Sequence, residues 1–181
     1  MKLSIIIQNS AAGHKGEKAE LIKKIISQLT DDCELIITTQ GSRTLFKEFK
    51  ADNVKVVKQK QNDCYDFKNA LKVAQGEFVT FIFEGDDVCD NYVECLLETI
   101  EDGENAYYPI MWQHMGWHGL SFIGCNPLLF WFANAYKKSF AQQFLMIDGT
   151  NDLLADALLY QMLQKYESGA PTKEIIYKRW R

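Results

Sequence analysis

Two hydrophobic periods alternate through the first hundred residues, and this alternation narrows the fold more than any other feature. Leu3-Ser4-Ile5-Ile6-Ile7, Glu34-Leu35-Ile36-Ile37-Thr38, Val54-Lys55-Val56-Val57 and Phe78-Val79-Thr80-Phe81-Ile82-Phe83 are short runs rich in β-branched or aromatic residues. Such runs are the mark of buried strands. Between them apolar residues recur at helical spacing. Leu21, Ile22, Ile25, Ile26 and Leu29 form one set, with Lys18, Glu20, Lys23 and Lys24 on the other face. Leu45, Phe46 and Phe49 suggest a short helix, and Phe67, Leu71, Val73 and Ala74 another that ends at Gly76, a C-cap position. Tyr92, Val93, Leu96, Leu97 and Ile100 form the last set. Met1 to Asp102 thus reads β-α-β-α-β-α-β-α, which predicts an α/β fold with a mostly parallel central sheet flanked by helices. Right-handed crossovers put the loop after each strand on one edge. In an open sheet of this kind, ligands bind at that edge.

The fourth run stops abruptly at Glu84-Gly85-Asp86-Asp87, three carboxylates within four residues. Clustered hard oxygens suit Mg²⁺ or Mn²⁺, and such an ion suits the phosphates of a nucleotide. The competing reading is a solvated acidic turn that opens the next helix, where Asp is at home. The β/α order favours the first reading. It brings the polar loop Gln8 to Gly16 and the turn Gln40-Gly41-Ser42 to the same edge.

Beyond Asp102 the pattern changes. Ala106 to Trp112 reads as a further strand, and Gln113 to Gly119 (Q-H-M-G-W-H-G) as a loop. Leu128 to Lys138 has helical character, and Leu153, Leu154, Ala157, Leu158, Met162 and Leu163 mark a long final helix. Glu174 to Tyr177 is a short strand leading into Lys178-Arg179-Trp180-Arg181, read as a basic solvated tail. There is no internal repeat, low-complexity tract or linker, so 181 residues suggest a single domain with a sizeable core.

Composition excludes several classes. The net charge is −4 with no long basic run, which gives no footing for nucleic acid. No apolar stretch reaches the roughly 18 residues of a membrane span. The run Leu3 to Ile7 is short for a signal-peptide core and reads as a strand. Five cysteines, an odd number without a C-x-x-C pair, indicate neither a disulfide framework nor a zinc site. A reducing, cytoplasmic location is expected.

With these elements in place, the chain resembles the family-2-type glycosyltransferases of the GT-A fold. Four separated features carry the resemblance: the opening K-L-S-I-I-I; E-L-I-I-T-T-Q-G-S, similar to the second strand and its D-D-G-S turn; Ala70 to Asp87, similar to the segment running through A-x-G-E-Y-x-x-F-L-D-x-D-D; and Asn151-Asp152-Leu153-Leu154, where the family has an E-D pair at the start of a late helix. Together they span roughly residues 1–165, and the third is the most specific. The resemblance implies a GT-A-like, Rossmann-type α/β sandwich. Residues 1–102 would form the nucleotide-sugar and metal half, and residues 103–181 the acceptor half.

It also implies a chemistry. A nucleotide-sugar donor, a UDP-sugar in first place, would give up its sugar to a glycan or other hydroxyl acceptor. Mn²⁺ or Mg²⁺ would offset the charge that develops on the leaving diphosphate. Asp86 matches the family's metal-binding aspartate, with Asp87 beside it, and Glu84 stands at the first aspartate of the D-x-D. Asp152 matches the aspartate that serves as general base in inverting members. For Asp152 the plainer role is a helix N-terminal residue favoured by the macrodipole.

The departures from the family cluster on base recognition. Thr39 and Gln40 replace the two aspartates of D-D-G-S, although the Gln40 amide retains hydrogen-bonding capacity. Gln8-Asn9-Ser10 replaces P-V-Y-N, leaving Gln8 and Ser10 as donor-side candidates. Asp66-Phe67-Lys68 replaces A-R-N, with Lys68 as the available cation. Trp112 and Trp117 are candidates for stacking on a sugar, with His114 and His118 as hydrogen-bonding neighbours, but an aromatic cluster closing the core is the commoner use of such residues. Arg179 or Arg181 would take the place of a basic residue that covers the diphosphate, and His14 lies in the first loop. A second reading follows: a catalytically weak or inactive GT-A-like module that binds a nucleotide, a glycan or a protein. A nucleotidyltransferase ranks third, because Ala12-Gly13-His14-Lys15-Gly16 is not a phosphate loop of the G-x-x-x-x-G-K-[ST] form.

Overall fold

The computed structural model describes residues 1–9, 15–39, 46, 49, 51–58, 67–83, 86–115, 121–124, 134–145 and 159–179. The four expected strands and three of the four expected helices of the first hundred residues are present, with an added short strand β5: β1 (Leu3–Asn9), α1 (Lys15–Ile26), β2 (Cys33–Thr39), β3 (Val54–Lys58), α2 (Lys68–Val73), β4 (Phe78–Ile82), β5 (Asp87–Val88) and α3 (Tyr92–Thr99). Phe46 and Phe49 are buried; the rest of the short helix expected around them lies outside the described residues. β6 (Tyr107–Pro109), β7 (Met111–Met115), β8 (Ser121–Gly124), β9 (Asn134–Lys137), α4 (Lys138–Leu145) and β10 (Ile175–Arg179) follow.

Two sheets result. The larger has the order β3-β2-β1-β4-β9-β6. Its first four strands are parallel, whereas β9 runs antiparallel to both β4 and β6. The chain steps outward from β1 to β2 to β3, then returns to the other side of β1 with β4. The order reverses at β1, and the crevice beyond the carboxyl ends of β1 and β4 is where such sheets take ligands. The smaller sheet has the order β5-β10-β7-β8. Its strand β5 leaves the acidic stretch directly, so the second sheet is built onto the end of β4.

Four expectations for the later chain are corrected. Ala106 to Trp112 is not one strand but two, in different sheets. Pro109 ends β6, where it brings no N–H to extend the ladder. Thr172 stitches the break: its N–H donates to Pro109 O at 3.1 Å, and its Oγ1 accepts from Met111 N at 2.8 Å. The expected loop from Gln113 is instead strand through Met115, paired as Trp112 with Gly124 and Met115 with Ser121. Within the run expected as helix, Asn134–Lys137 is a strand held between β4 and β6. An apolar run of that length does not distinguish strand from buried helix by periodicity. Residues 159–163 are helical, and the earlier part of the expected final helix lies outside the described residues. The short strand near the end extends through Lys178 and Arg179, so half of the expected solvated tail is sheet.

The core is continuous across β1, β2 and β4, where Leu3, Ile5, Ile6, Leu35, Ile36, Ile37, Phe78, Phe81 and Ile82 are fully buried. At the opposite edge from the crevice, a buried carboxylate pins the parallel strands. Glu34 accepts from Ser4 Oγ at 2.6 Å and from the Gln75 N–H, and Lys55 Nζ lies 2.6 Å from its Oε2. Ser4 in turn accepts from Gly76 N at 2.8 Å. Gly76 is not the cap of α2, whose C-cap is Ala74. Its role is close approach: a Cβ there would lie 2.5 Å from Ser4 N and 2.6 Å from Leu3 C. Gly76→Ala is therefore expected to destabilise by roughly 3 kcal/mol or more, since backbone atoms have nowhere to move; urea unfolding checks this.

Burial pushes the Glu34 pKa up, but Lys55, Ser4 and the Gln75 N–H outweigh it and hold the carboxyl below the usual range. The folded pKa lies below the unfolded one. The contribution is therefore complete above the unfolded value of about 4.3 and is lost as pH falls through the folded value. Glu34→Gln should cost about 2 kcal/mol at neutral pH. The gap to the wild type should narrow in urea melts run below about pH 4.

Candidate functional site

The crevice is assembled from strand ends. β1 delivers Gln8, half-buried and in register with Thr38 of β2. Thr38 and Thr39 are both buried, and Thr38 Oγ1 donates to Ile7 O at 3.1 Å. β4 delivers the acidic stretch. α2 runs back from the crevice to the start of β4, so its first residue, Lys68, lies at the crevice end. Ring contacts fix that placement: Phe67 packs on Phe81 at 4.7 Å and on Phe83 at 5.8 Å between centroids. Gln8, Lys68 and Asp86 therefore share one edge. Ser10, Gln40, Glu84 and Asp152 lie outside the described residues, as do His14, Trp117, His118 and Arg181.

Asp86 is 5% exposed, deep for a carboxylate. Its N–H donates to Phe83 O at 3.2 Å. Its Oδ2 accepts a hydrogen bond from Tyr177 Oη at 2.5 Å. Tyr177 is fully buried on β10 and reaches Asp86 across 91 positions of sequence. Burial, and then the charge of Asp86 and the hydrogen bond to it, raise the Tyr177 pKa well above its usual value. The phenol therefore stays protonated and remains a donor. Phe83 N–H approaches the same hydroxyl at 3.5 Å.

Asp87 has a different environment. Its Oδ1 lies 3.5 Å from Lys24 Nζ of α1, and Lys24 also contacts Asp90 at 3.2 Å. Burial alone would lower the Lys24 pKa, but Asp90 and Asp87 outweigh that and raise it. Gln28, in the turn just past the end of α1, donates to Cys89 O at 3.1 Å and accepts from Val93 N at 3.1 Å. The two adjacent aspartates thus face different partners: Asp86 the second sheet, Asp87 the first helix.

The donor chemistry at Asp86 fits a hard divalent cation. Mg²⁺ and Mn²⁺ in phosphate-transfer sites are commonly held by one or two carboxylates, with substrate phosphates and water completing the shell. Among the described residues no three His, Cys, Asp or Glu side chains converge. Trp112, expected to meet a sugar or close the core, is buried in β7 at 6% exposure. Among the described residues no helix is long and apolar enough to cross a membrane.

Neither Tyr177 nor Lys24 was identified from sequence as part of this site. Tyr177 is an apolar-looking end of a short strand and Lys24 one of several lysines on a helix face. Nothing local in either stretch points to an aspartate 91 or 63 positions away. An acidic Asp-Asp pair needing two separate partners was the one available signal.

No protein-family model matches the chain, and no curated protein matches it by sequence. Solved structures do match. TarS 1-349 from S. aureus superposes with a TM-score of 0.77 at 14% identity, over 99% of this chain and 60% of that one. The same TarS fragment in complex with UDP-GlcNAc gives 0.72 at 16% identity, over 100% and 59%. The bifunctional IspDF from Campylobacter jejuni gives 0.57 at 14% identity, over 96% and 50%. The chain thus spans only part of each of these proteins, and at such identities the likeness is one of fold. It establishes the GT-A-like, Rossmann-type α/β architecture.

A half-exposed ion pair with a long N–O separation contributes little. Asp87→Asn should change stability by no more than about 1 kcal/mol, and that difference should vanish at high salt. Thermal melts at low and at 1 M NaCl, about a 3 Å Debye length, measure both effects.

Proposed function

We propose that the chain is a divalent-metal-dependent glycosyltransferase that moves a sugar from a nucleotide sugar, a UDP-sugar in first place, to an acceptor hydroxyl. The observation that carries this reading is the buried Asp86 carboxylate at the carboxyl end of β4, beside the point where strand order reverses. The TarS complexes with UDP-GlcNAc and with UDP, on the same fold, support a nucleotide-sugar partner.

In this reading Asp86, with Glu84 beside it, holds Mn²⁺ or Mg²⁺. When bound, the ion supplies positive charge to offset that developing on the leaving diphosphate. Gln8, Ser10 and Gln40 line the donor side at the ends of the first two strands, and Lys68 brings a cation to the same edge. Asp152 takes the proton from the acceptor hydroxyl, a role that requires its carboxylate within hydrogen-bond reach. Asp87, proposed from its position as a second metal ligand, is held by Lys24, so Asp86 takes the leading part.

The second reading, a weak or inactive GT-A-like module, has an observation of its own. Thr39 stands where the family has the first aspartate of its base-reading turn, and it is buried in β2 at 1% exposure.

Calorimetry with UDP-GlcNAc and with UDP, GDP and CDP, in the presence and absence of Mn²⁺, distinguishes the readings. The enzyme reading expects Mn²⁺-dependent binding that Asp86→Asn weakens tenfold or more, a loss in the range seen for ligand-shell changes. It also expects Asp152→Asn to retain binding and lose about 10²–10⁴ in turnover. Binding without transfer or hydrolysis of any sugar nucleotide supports the module instead.

A further inference from the structure

The Tyr177 hydroxyl has no part in the chemistry described above, yet it contacts both Phe83 and Asp86. It donates to Asp86 Oδ2 at 2.5 Å and lies 3.5 Å from Phe83 N. We propose that Tyr177 is a positioning residue for the cation site: its hydroxyl fixes the Asp86 carboxylate in the orientation that receives the divalent ion. The proposal rests on the reading of Asp86 as the metal-holding aspartate.

Three observations carry it. First, both groups are buried, Tyr177 fully and Asp86 to 5% exposure, so water does not compete effectively for the bond. Second, Tyr177 is itself immobilised. β10 is a central strand of the smaller sheet, pairing Tyr177 with Val88 of β5 on one side and with Trp112 of β7 on the other. Third, the contact is not a by-product of chain proximity, because the two residues are 91 positions apart. A carboxylate free to rotate must be ordered when an ion binds. One already oriented by a fixed phenol has met that cost beforehand, which is how hydrogen-bond partners behind a ligand tune affinity. The same bond ties the acidic motif of β4 to the sheet formed largely by the later chain.

Mn²⁺ titrations of the wild type, Tyr177→Phe, Asp86→Asn and Tyr92→Phe, with and without UDP and followed by the electron paramagnetic resonance of free Mn²⁺, test the proposal. Tyr92 is a matched control, also fully buried, whose hydroxyl meets Thr80 Oγ1 at 3.3 Å. Tyr177→Phe should bind Mn²⁺ about 10- to 100-fold more weakly, Asp86→Asn at least as weakly, and Tyr92→Phe like the wild type. Tyr177→Phe at wild-type affinity beside a weakened Asp86→Asn overturns the inference and leaves the enzyme reading standing. No Mn²⁺ uptake by the wild type overturns both. Equal losses in Tyr177→Phe and Tyr92→Phe reduce Tyr177 to a structural role and overturn the inference. If Tyr177→Phe does not fold, 3-fluorotyrosine at position 177 of the otherwise unchanged protein replaces it. Broadening of its ¹⁹F line by stoichiometric Mn²⁺ supports the proposal, and a line that stays sharp at saturation overturns it.

Discussion

A parallel sheet has no hairpins to set its register, so something else must hold its strands level. Here the buried Glu34 carboxylate does so. One side chain of β2 joins Ser4 of β1, Lys55 of β3 and the backbone that enters β4. An unpaired buried charge costs several kcal/mol, so a slip of one residue in any of these strands is strongly disfavoured. A slip also reverses the faces of every side chain in the strand. Gly76 is part of the same device, since only a residue without a Cβ lets the chain come this close to Leu3 and Ser4. Everything at the other end of the sheet inherits this register, including the level at which Gln8 and Asp86 emerge.

The molecule therefore uses two buried carboxylates at opposite edges for different ends. Glu34 is neutralised by Lys55 and serves the fold. Asp86 receives a phenol that stays protonated. A phenol donor orients a carboxylate without itself neutralising it. The neighbouring Asp87 shows the contrast: it is paired with a cation, Lys24 of α1.

Much of the architecture was legible in the sequence because it is local. Runs such as Leu3 to Ile7 and the 3.6-residue spacing of Leu21, Ile22 and Ile25 carry their own period, and four such alternations admit few topologies. The abrupt change from Phe83 to Asp86 was legible for the same reason. The later chain was not. Asn134 to Lys137 is a strand because β4 and β6 lie on either side of it, not because of its own preference. The division of 106–112 depends on Thr172, some sixty positions away. Strand pairing is non-local, and its stabilising partners are absent from any short window.

The candidate site divides along the same line. That a carboxylate pair follows the fourth strand of a β/α series, and so emerges at the ligand-binding edge, could be read from local pattern alone. Chirality of the crossovers leaves no other edge. That the two aspartates part company, Asp86 to Tyr177 and Asp87 to Lys24, follows from packing. The physical reason is range. Hydrophobic period acts within a few residues, whereas a hydrogen bond between a turn and a strand 91 positions later exists only once two sheets have packed.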